Sequence, residues 1–498
     1  MNVNPITRLD YPDPDVIRVE DTYYMVSTTM HFMPGCEILQ SFDLVHWEHV
    51  TYVYETLDHT DAQQLKSGQN IYGQGMWAAS LRYHEGRFYI CFVANDTRKT
   101  YLYTSEKIDG PWKKQLIEGF YHDGSLLFDE DGRNYIVYGN DEIWITELNE
   151  DLTAPKKDGL HRLLVSDHKN PELGYEGSHI QKINGYYYIF LVHSLRDRWM
   201  RTEACFYSDS LEGEFTGGDV LCDDRGYCGQ GVAQGGIVDT PDGKWYAMLF
   251  QDSGAVGRIP ILLPVTWKDH FPFFGQNGHV PEEIEVHSTR PGYIYQPLVG
   301  SDDFCNGMLP RWQFNHDPDP RYYHLDALQG TYTITTREVC TELTQAVNTL
   351  TQRMSYPSCA AEVTVDASAL KEGDVAGLCA LQSCYAAVGI TKHHGKYEVL
   401  MLDKKEDGIL DMTEGTVVES HQMDFRLEAD FCNMKDEARC YYRVNKGDWL
   451  PIGTVHKLYF KLDHFTGCRF GLFCYAAEET GGSACFRDFK YYDVDEIS

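Results

Sequence analysis

Three acidic residues, far apart along the chain, each stand directly before a segment with the apolar pattern of a β-strand. They are Asp13, Asp123 and Glu176, and a proline or glycine beside each one allows a tight backbone turn. Carboxyl groups that share a pocket can divide general acid and general base work between them. One such residue alone is more often a surface acid or a turn cap. Three in the same position before separate strands indicate a common site.

The elements that would position these acids are five hairpin-like segments between residue 1 and about residue 295. Each has an apolar stretch, a Gly or Asp-Gly turn and an aromatic-rich stretch, which is typical of a β-hairpin. The segments start near residues 15, 79, 125, 178 and 236, and this period is typical of propeller blades rather than helical repeats. A propeller gathers its inner strands around one opening, so the three acids are predicted to meet there.

The hairpin pattern stops around residues 295–301. Beyond it lie short alternating segments such as Glu362–Val365 and Arg469–Cys474, separated by turn signals. This pattern predicts an antiparallel β-sandwich. The expected chain is therefore all-β, with a five-bladed β-propeller at residues 1–297 and a β-sandwich at residues 302–498.

The composition argues against several classes of partner. Lys plus Arg number 43 and Asp plus Glu number 75, giving a net charge of −32, which opposes binding to nucleic acid or to anionic membranes. No segment is long and apolar enough to span a bilayer, and no signal peptide is visible. The 15 cysteines are scattered without a Cys-x-x-Cys pair, so we expect reduced thiols and a cytoplasmic location.

The sequence resembles glycoside hydrolase family 43, with β-xylosidases and α-L-arabinofuranosidases as the nearest relatives. The residues after 302 resemble the concanavalin-like jelly-roll sandwich that follows the propeller in β-xylosidase-like members. The segments that carry the resemblance are Asn4-Pro5-Ile6, Tyr11-Pro12-Asp13-Pro14-Asp15, Met76-Trp77-Ala78, Asp123-Gly124-Ser125-Leu126, Glu176-Gly177-Ser178-His179, and Gly257-Arg258 before Trp267.

The resemblance implies a role for each matching residue. It makes Asp13 the general base, Glu176 the general acid, and Asp123 the residue that modulates and orients that acid. It also makes Trp77 a wall of the pocket and Arg258 a hydrogen-bond donor to the sugar. The family is inverting, so the base and the acid need carboxyl groups roughly 6.5–9.5 Å apart to leave room for a water molecule.

Three further features extend or depart from the family pattern. Phe32, in His31-Phe32-Met33, is a candidate rim residue that binds substrate, with simple packing as the alternative. Ile259-Pro260 follow Arg258 where many members carry Glu-Thr, and the fifth blade has no clear counterpart of an axial histidine within residues 230–235. The chemistry needs no cofactor, whereas a structural calcium ion stays open. The acidic turn at 129–132 is expected to be a plain hairpin turn.

The resulting hypothesis is an exo-acting, inverting hydrolase that releases xylose or arabinofuranose from xylan-derived oligosaccharides. Its partners would be small xylo- or arabino-oligosaccharides, with a homo-oligomer left open. The alternatives are a non-catalytic sugar-binding propeller and a family 43 hydrolase acting on arabinan or galactan. A five-bladed fructan or sucrose hydrolase would need an Asn-Asp-Pro-Asn-type nucleophile motif, which this sequence lacks.

Overall fold

The computed structural model describes residues 2–413 and 415–493, which form antiparallel β-sheets. Its helices among these residues are single 3-10 turns at Lys66–Gly68, Gly254–Val256, Leu343–Gln345 and Cys432–Met434. No helix in the described ranges has the length and apolar character needed to cross a bilayer. The fold is the predicted one: a five-bladed β-propeller followed by a β-sandwich.

The strands of the first half are β1 (Asn2–Val3), β2 (Asp15–Val19), β3 (Thr22–Ser27), β4 (Phe32–Met33), β5 (Gly35–Ser41), β6 (Glu48–Tyr54), β7 (Met76–His84), β8 (Arg87–Ala94), β9 (Lys99–Ser105), β10 (Lys113–Ile117), β11 (Ser125–Phe128), β12 (Asn134–Asn140), β13 (Glu142–Leu148), β14 (His161–Ser166), β15 (Glu176–Ile183), β16 (Tyr186–Ser194), β17 (Arg201–Ser208), β18 (Thr216–Leu221), β19 (Val232–Asp239), β20 (Trp245–Asp252), β21 (Arg258–Lys268), β22 (Phe271–Phe274) and β23 (Glu283–Ile284).

Each blade is a four-stranded antiparallel sheet. The strand orders are β2-β3-β5-β6, β7-β8-β9-β10, β11-β12-β13-β14, β15-β16-β17-β18 and β19-β20-β21-β22. The first strands of the blades touch one another in a closed ring, β2 to β7 to β11 to β15 to β19 and back to β2. Near the chain start, β1 pairs with β23, so residues at both ends of the propeller are held together.

Hydrophobic clusters between neighbouring blades hold the ring together. Tyr54, Leu81 and Phe92, for example, are buried together between the first two blades. Alternating residues of each strand point to opposite faces of its sheet, so every blade presents one apolar face to each neighbour. The hydrophobic effect thereby fixes the inner strands around one axis, and with them the residues at the strand starts.

The second half contains β24 (Gln313–Asn315), β25 (Tyr323–Asp326), β26 (Thr331–Thr335), β27 (Leu350–Arg353), β28 (Ser358–Asp366), β29 (Val375–Leu381), β30 (Ala386–His393), β31 (Lys396–Lys404), β32 (Leu410–Met412), β33 (Thr416–Val418), β34 (Gln422–Asp430), β35 (Glu437–Val444), β36 (Leu450–Lys457), β37 (Arg469–Tyr475) and β38 (Ser483–Asp493).

These strands form two sheets that enclose one large apolar core. One sheet has the order β25-β26-β38-β28-β34-β35-β36, and the other runs β32-β31-β30-β29-β37-β27-β24-β4, with β33 also paired to β31. The last strand of the second sheet, β4, comes from the propeller half and pairs with β24 through Phe32 and Met33. The first blade therefore supplies an edge strand to the sandwich.

Buried polar contacts tie the two domains together beside the propeller opening. Arg353 on β27 lies 2.8 Å from the carboxylate of Glu37 on β5, with both side chains nearly inaccessible. Asp10 accepts hydrogen bonds from the backbone N–H groups of Arg258 at 2.8 Å and Gly467 at 2.7 Å. Removing one partner of such a buried pair leaves an unsatisfied charge, so these contacts specify how the domains dock.

Candidate active site

Asp13 lies at the turn into β2 and has a positive φ of 53°. The Thr28 hydroxyl donates to Oδ2 at 2.6 Å, and Arg258 Nη1 donates to Oδ1 at 3.1 Å. The same Thr28 oxygen accepts from the Ala78 N–H at 2.8 Å, which links Asp13 to the strand that carries Trp77. Two donors from different blades thus fix the Asp13 carboxylate.

Asp123 and Glu176 stand side by side at the starts of β11 and β15. Asp123 Oδ2 accepts from the backbone N–H of Gly177 at 2.9 Å, so Asp123 holds the residue that follows Glu176. His122 Nε2 lies 3.5 Å from Asp123 Oδ2 and 3.5 Å from Glu176 Oε2. Asn140 Nδ2 donates to Glu176 Oε2 at 2.7 Å. The geometry fits the orienting role that the resemblance gave to Asp123.

The charges of His122, Asp123 and Glu176 influence the pKa values of Asp123 and His122. Burial raises the pKa of Asp123 to about 6, and the charges of Glu176 and Asp13 act in the same direction while His122 opposes them. The Asp123 carboxylate is the largest cause that raises the pKa of His122 to about 9, against the effect of burial. His122 therefore carries a positive charge at neutral pH and partly balances the acids.

Trp77, Arg258 and a residue of the sandwich form the walls around the acids. The Trp77 ring centroid lies 6.2 Å from that of His122 and 5.5 Å from that of Phe465. The Arg258 guanidinium carbon lies 4.3 Å from the centroid of Phe465. Phe465 belongs to the segment before β37, so the second domain contributes an aromatic wall to the propeller pocket.

Phe32 lies away from the open part of this pocket. Its ring has no exposed surface and packs in a core shared with the sandwich. The guanidinium carbon of Arg469 covers the ring at 3.5 Å from its centroid. The structure thus places Phe32 in the junction between the domains, because β4 is taken up by the sandwich sheet. A contact between Phe32 and a sugar stays a prediction.

Asn140, Thr28 and Phe465 were missed from the sequence. A signal for Asn140 was present in the preceding Gly139, whose φ is 143° and where an added Cβ would lie 2.0 Å from the Glu142 oxygen. The Gly139 N–H also donates to the His122 carbonyl at 3.0 Å, which aligns the end of β12 with the acids. Phe465 had no signal, because it reaches the site only through the packing of the two domains.

The propeller axis does not fit a metal cation. Arg82 Nη1 lies 2.8 Å from Asp15 Oδ2. The same guanidinium donates to the Ser125 hydroxyl and to the carbonyls of Leu126 and Ile180. His179 Nδ1 lies 3.1 Å from the other Asp15 oxygen. A built-in cation thus uses the oxygens that a calcium ion would need, so the structural calcium left open from the sequence finds no support at the axis.

Two other acidic groups contain oxygens of the kind that bind metal ions. In the turn at 129–132, Asp129 already accepts from Lys182 Nζ at 2.6 Å and from the Tyr187 hydroxyl at 2.5 Å, which fits a plain hairpin turn. Within the described ranges, the group of three ligand-type atoms close enough for one ion is His122, Asp123 and Glu176, all within 4.8 Å. The two oxygens of this group already accept hydrogen bonds within the protein, Glu176 Oε2 from Asn140 Nδ2 at 2.7 Å and Asp123 Oδ2 from the Gly177 N–H at 2.9 Å, as expected of a hydrogen-bonded acid pair.

Comparisons with known proteins agree with this geometry. Residues 3–272 match the glycosyl hydrolases family 43, and residues 301–492 match the beta xylosidase C-terminal concanavalin A-like domain. A beta-xylosidase of Formosa agariphila is 26% identical, over 99% of this chain and 89% of that protein. A xylosidase/arabinosidase of Butyrivibrio fibrisolvens is 24% identical, over 99% of both chains.

A solved structure extends the likeness to three dimensions. The bifunctional GH43-CE protein of Bacteroides eggerthii is 42% identical with a TM-score of 0.92, and it matches 99% of this chain. The matched region is 64% of that longer chain, so the likeness covers only part of the bifunctional protein. The family match spans more than half of the present sequence and includes Asp13, Asp123, Glu176, Trp77 and Arg258. The chain therefore belongs to glycosyl hydrolase family 43.

Proposed function

We propose that this hydrolase is an exo-acting, inverting glycosidase that releases xylose or arabinofuranose from xylan-derived oligosaccharides. The observation that carries the proposal is the convergence of Asp13, Asp123 and Glu176, from three blades, at one opening. The printed names of the two relatives, a beta-xylosidase and a xylosidase/arabinosidase, support the choice of pentose. The two sugars present similar hydroxyl groups, so the proposal includes both.

The mechanism gives the two carboxyl groups opposite tasks, one donating a proton and the other accepting one. Glu176 donates a proton to the glycosidic oxygen as the bond to the anomeric carbon breaks. Asp13 takes a proton from a water molecule, whose oxygen attacks that carbon from the opposite face. The product has the inverted anomeric configuration, and proton exchange with solvent then restores both carboxyl groups. Asp123 orients Glu176 through the N–H of Gly177.

The walls of the pocket support exo action. The Trp77 and Phe465 rings contact each other at a tilt of 43° with centroids 5.5 Å apart, so they form one continuous aromatic wall, and Phe465 comes from the second domain. Arg258 is 2% exposed and lies between Asp13 and Phe465, which suits a donor to the hydroxyl groups of an enclosed sugar. A pocket closed on these sides holds the end of a chain more readily than its middle.

Hydrolysis of defined glycosides tests the proposal. The protein is incubated with aryl β-D-xyloside, aryl α-L-arabinofuranoside and short xylo- and arabinoxylo-oligosaccharides, and the released sugars are separated. We expect single pentose units from at least one glycoside and one oligosaccharide class. Asp13→Asn serves as the inactive control. Release of internal fragments, or activity confined to arabinan or galactan, would contradict this substrate assignment.

We also propose that the protein works in the reducing environment of the cytoplasm. Its 15 cysteines all have free thiols, and most of them are buried. Burial raises the pKa of Cys36 and Cys91, which lowers their reactivity as thiolates. Fractionation of producing cells tests the location, with activity expected in the cytoplasmic fraction. Activity recovered mainly outside the cytoplasm would contradict it.

A further inference from the structure

A short loop at the rim of the pocket connects β16 to β17. Glu176 pairs with Val192 near the end of β16, so this loop lies at the same edge of the blade as the proposed acid. The Met200 N–H donates to the Ser194 hydroxyl at 2.8 Å, and the Leu195 N–H donates to the Met200 carbonyl at 3.2 Å. These bonds close the loop into an ordered hairpin.

The loop holds a tryptophan in the open. All nine tryptophans lie in the described ranges, and among them Trp199 is the most exposed, at 42%. The guanidinium carbon of Arg201 lies 5.2 Å from its ring centroid, a cation–π distance that holds the ring in place. A tryptophan ring offers an apolar face together with an N–H donor, which suits contact with a ligand that has both apolar and polar groups.

Arg201 connects this ring to the proposed acids. Its side chain is 8% exposed, and Nε donates to Asp252 Oδ2 at 2.9 Å. Its terminal nitrogens have no acceptor among the described residues. Arg201 and Arg258 lie 5.2 and 5.4 Å from the centroid of the same ring, Phe250. Burial opposes the charge of Arg201, but Asp252, Glu176 and Asp13 raise its pKa, so it stays charged close to the site.

We propose that Trp199 and Arg201 form the binding site for the sugar that leaves during hydrolysis, a role that rests on the proposed function. The apolar face of a neutral pyranose ring stacks on Trp199, and the terminal nitrogens of Arg201 donate to its hydroxyl groups. The sugar is neutral because Asp252 already pairs with Arg201, and the carboxylates of Glu176 and Asp13 would repel an anionic ring.

Two substrates that release the same pentose but have different leaving groups distinguish binding of the leaving sugar from the chemical step. One is a neutral oligosaccharide that the wild type hydrolyses, and the other is the glycosyl fluoride, whose leaving group fills no sugar site. For Trp199→Ala we expect kcat/KM on the oligosaccharide to fall about 10-fold, mainly through KM, because one stacked ring is lost. On the fluoride we expect less than about a 2-fold change.

Arg201 is tested in the same way with two variants. Arg201→Gln should raise the KM of the oligosaccharide about 10-fold, because hydrogen bonds from a charged donor are lost. Arg201→Lys should recover part of that loss. The matched control is Trp449→Ala, because Trp449 in the sandwich also packs against an arginine, with the guanidinium carbon of Arg443 4.2 Å from its ring centroid. This control should leave the kinetic constants for both substrates unchanged.

Several results would overturn the assignment. Equal loss on oligosaccharide and fluoride would mean that Trp199 acts on the acids or on folding, and no loss on either would remove it from the site. Faster hydrolysis of an oligosaccharide whose leaving sugar carries a uronic acid would contradict a neutral ligand. These results leave the wild type active, whereas an inactive wild type overturns the proposed function and this inference with it.

Discussion

The Arg258 guanidinium lies between Asp13 of the propeller and Phe465 of the sandwich. Its Nη1 is 3.1 Å from Asp13 Oδ1, and its central carbon is 4.3 Å from the Phe465 ring centroid. The proposed base is thus held by a cation whose other side is covered by the second domain. The sandwich contributes to the pocket wall, and we expect sugar binding to require the docking of the two domains.

Phe465→Ala tests this relationship. Loss of the ring removes a pocket wall and a cation–π contact worth about 1 kcal/mol. We expect KM for an aryl glycoside to rise about 10-fold, a larger change than in kcat, because substrate contact is lost while the acids stay in place. Phe273→Ala removes a half-exposed ring of the fifth blade and is the control. Equal KM values for the two variants would contradict a role for Phe465 in binding.

Asp123→Asn should stabilise the protein in a pH-dependent way. The pKa of Asp123 is raised from 3.8 to about 6, so the folded state holds the proton more tightly than the unfolded chain. Above pH 6 the Asp123 carboxyl is ionised in the folded state as well, and this ionisation lowers the free energy of unfolding. Below pH 4 the carboxyl is protonated in the folded state, so this loss of stability is absent. We expect the variant to be more stable by about 2 kcal/mol at pH 7 and unchanged at pH 4, with strongly reduced turnover. Urea unfolding at both pH values measures this, and a loss of stability at pH 7 would contradict it.

His122→Gln should show the opposite dependence. The pKa of His122 is raised from 6.5 to about 9, so its contribution to stability is complete below pH 6.5 and is lost as the pH rises through 9. We expect the variant to be less stable than the wild type by about 2 kcal/mol at pH 6, with the difference closing near pH 9.5. Denaturant unfolding across this range measures the difference. A constant difference at all pH values would show that His122 is not charged in the folded state.

Glu176→Gln distinguishes the role of the acid from that of the base when glycosides with different leaving groups are compared. Without a proton donor, turnover of a glycoside with a sugar leaving group should fall about 1,000-fold, whereas an aryl glycoside of an acidic phenol needs little protonation and should lose much less. Asp13→Asn should lose activity on both, because the attacking water is no longer activated. Values of kcat for the two glycosides test the pair. The same loss for both glycosides in Glu176→Gln would contradict its role as acid.

The blade starts show what local pattern could and could not predict. The predicted starts at residues 15 and 125 are those of β2 and β11. The other three strands begin two to four residues earlier than predicted, at Met76, Glu176 and Val232. Each of these strands has a register shift near its beginning, which breaks the alternation of apolar residues. The sequence therefore predicted the blades but not the bulged residues, which lie next to the site.

The acids could be predicted because each carries a local signal, a strand start beside a proline or glycine. Phe465 and Arg201 could not, since they reach the pocket through the docking of the sandwich and through the ordered loop after β16. Nothing local to Phe32 shows that β4 pairs with β24 of the other domain, so the sequence leaves rim contact and packing open for this residue. The locations of these three residues depend on contacts between segments that are distant in sequence. The periodicity of apolar residues carries no information about such contacts.

The anomeric form of the first product is the most direct test of the central claim that Asp13 and Glu176 act as base and acid on opposite faces of the sugar. The wild type is mixed with an aryl β-D-xyloside or an aryl α-L-arabinofuranoside, and proton NMR spectra are recorded before mutarotation. We expect the first signal from the anomer opposite to the substrate, α-xylose or β-arabinofuranose. A product that first appears with the configuration of the substrate would contradict the account.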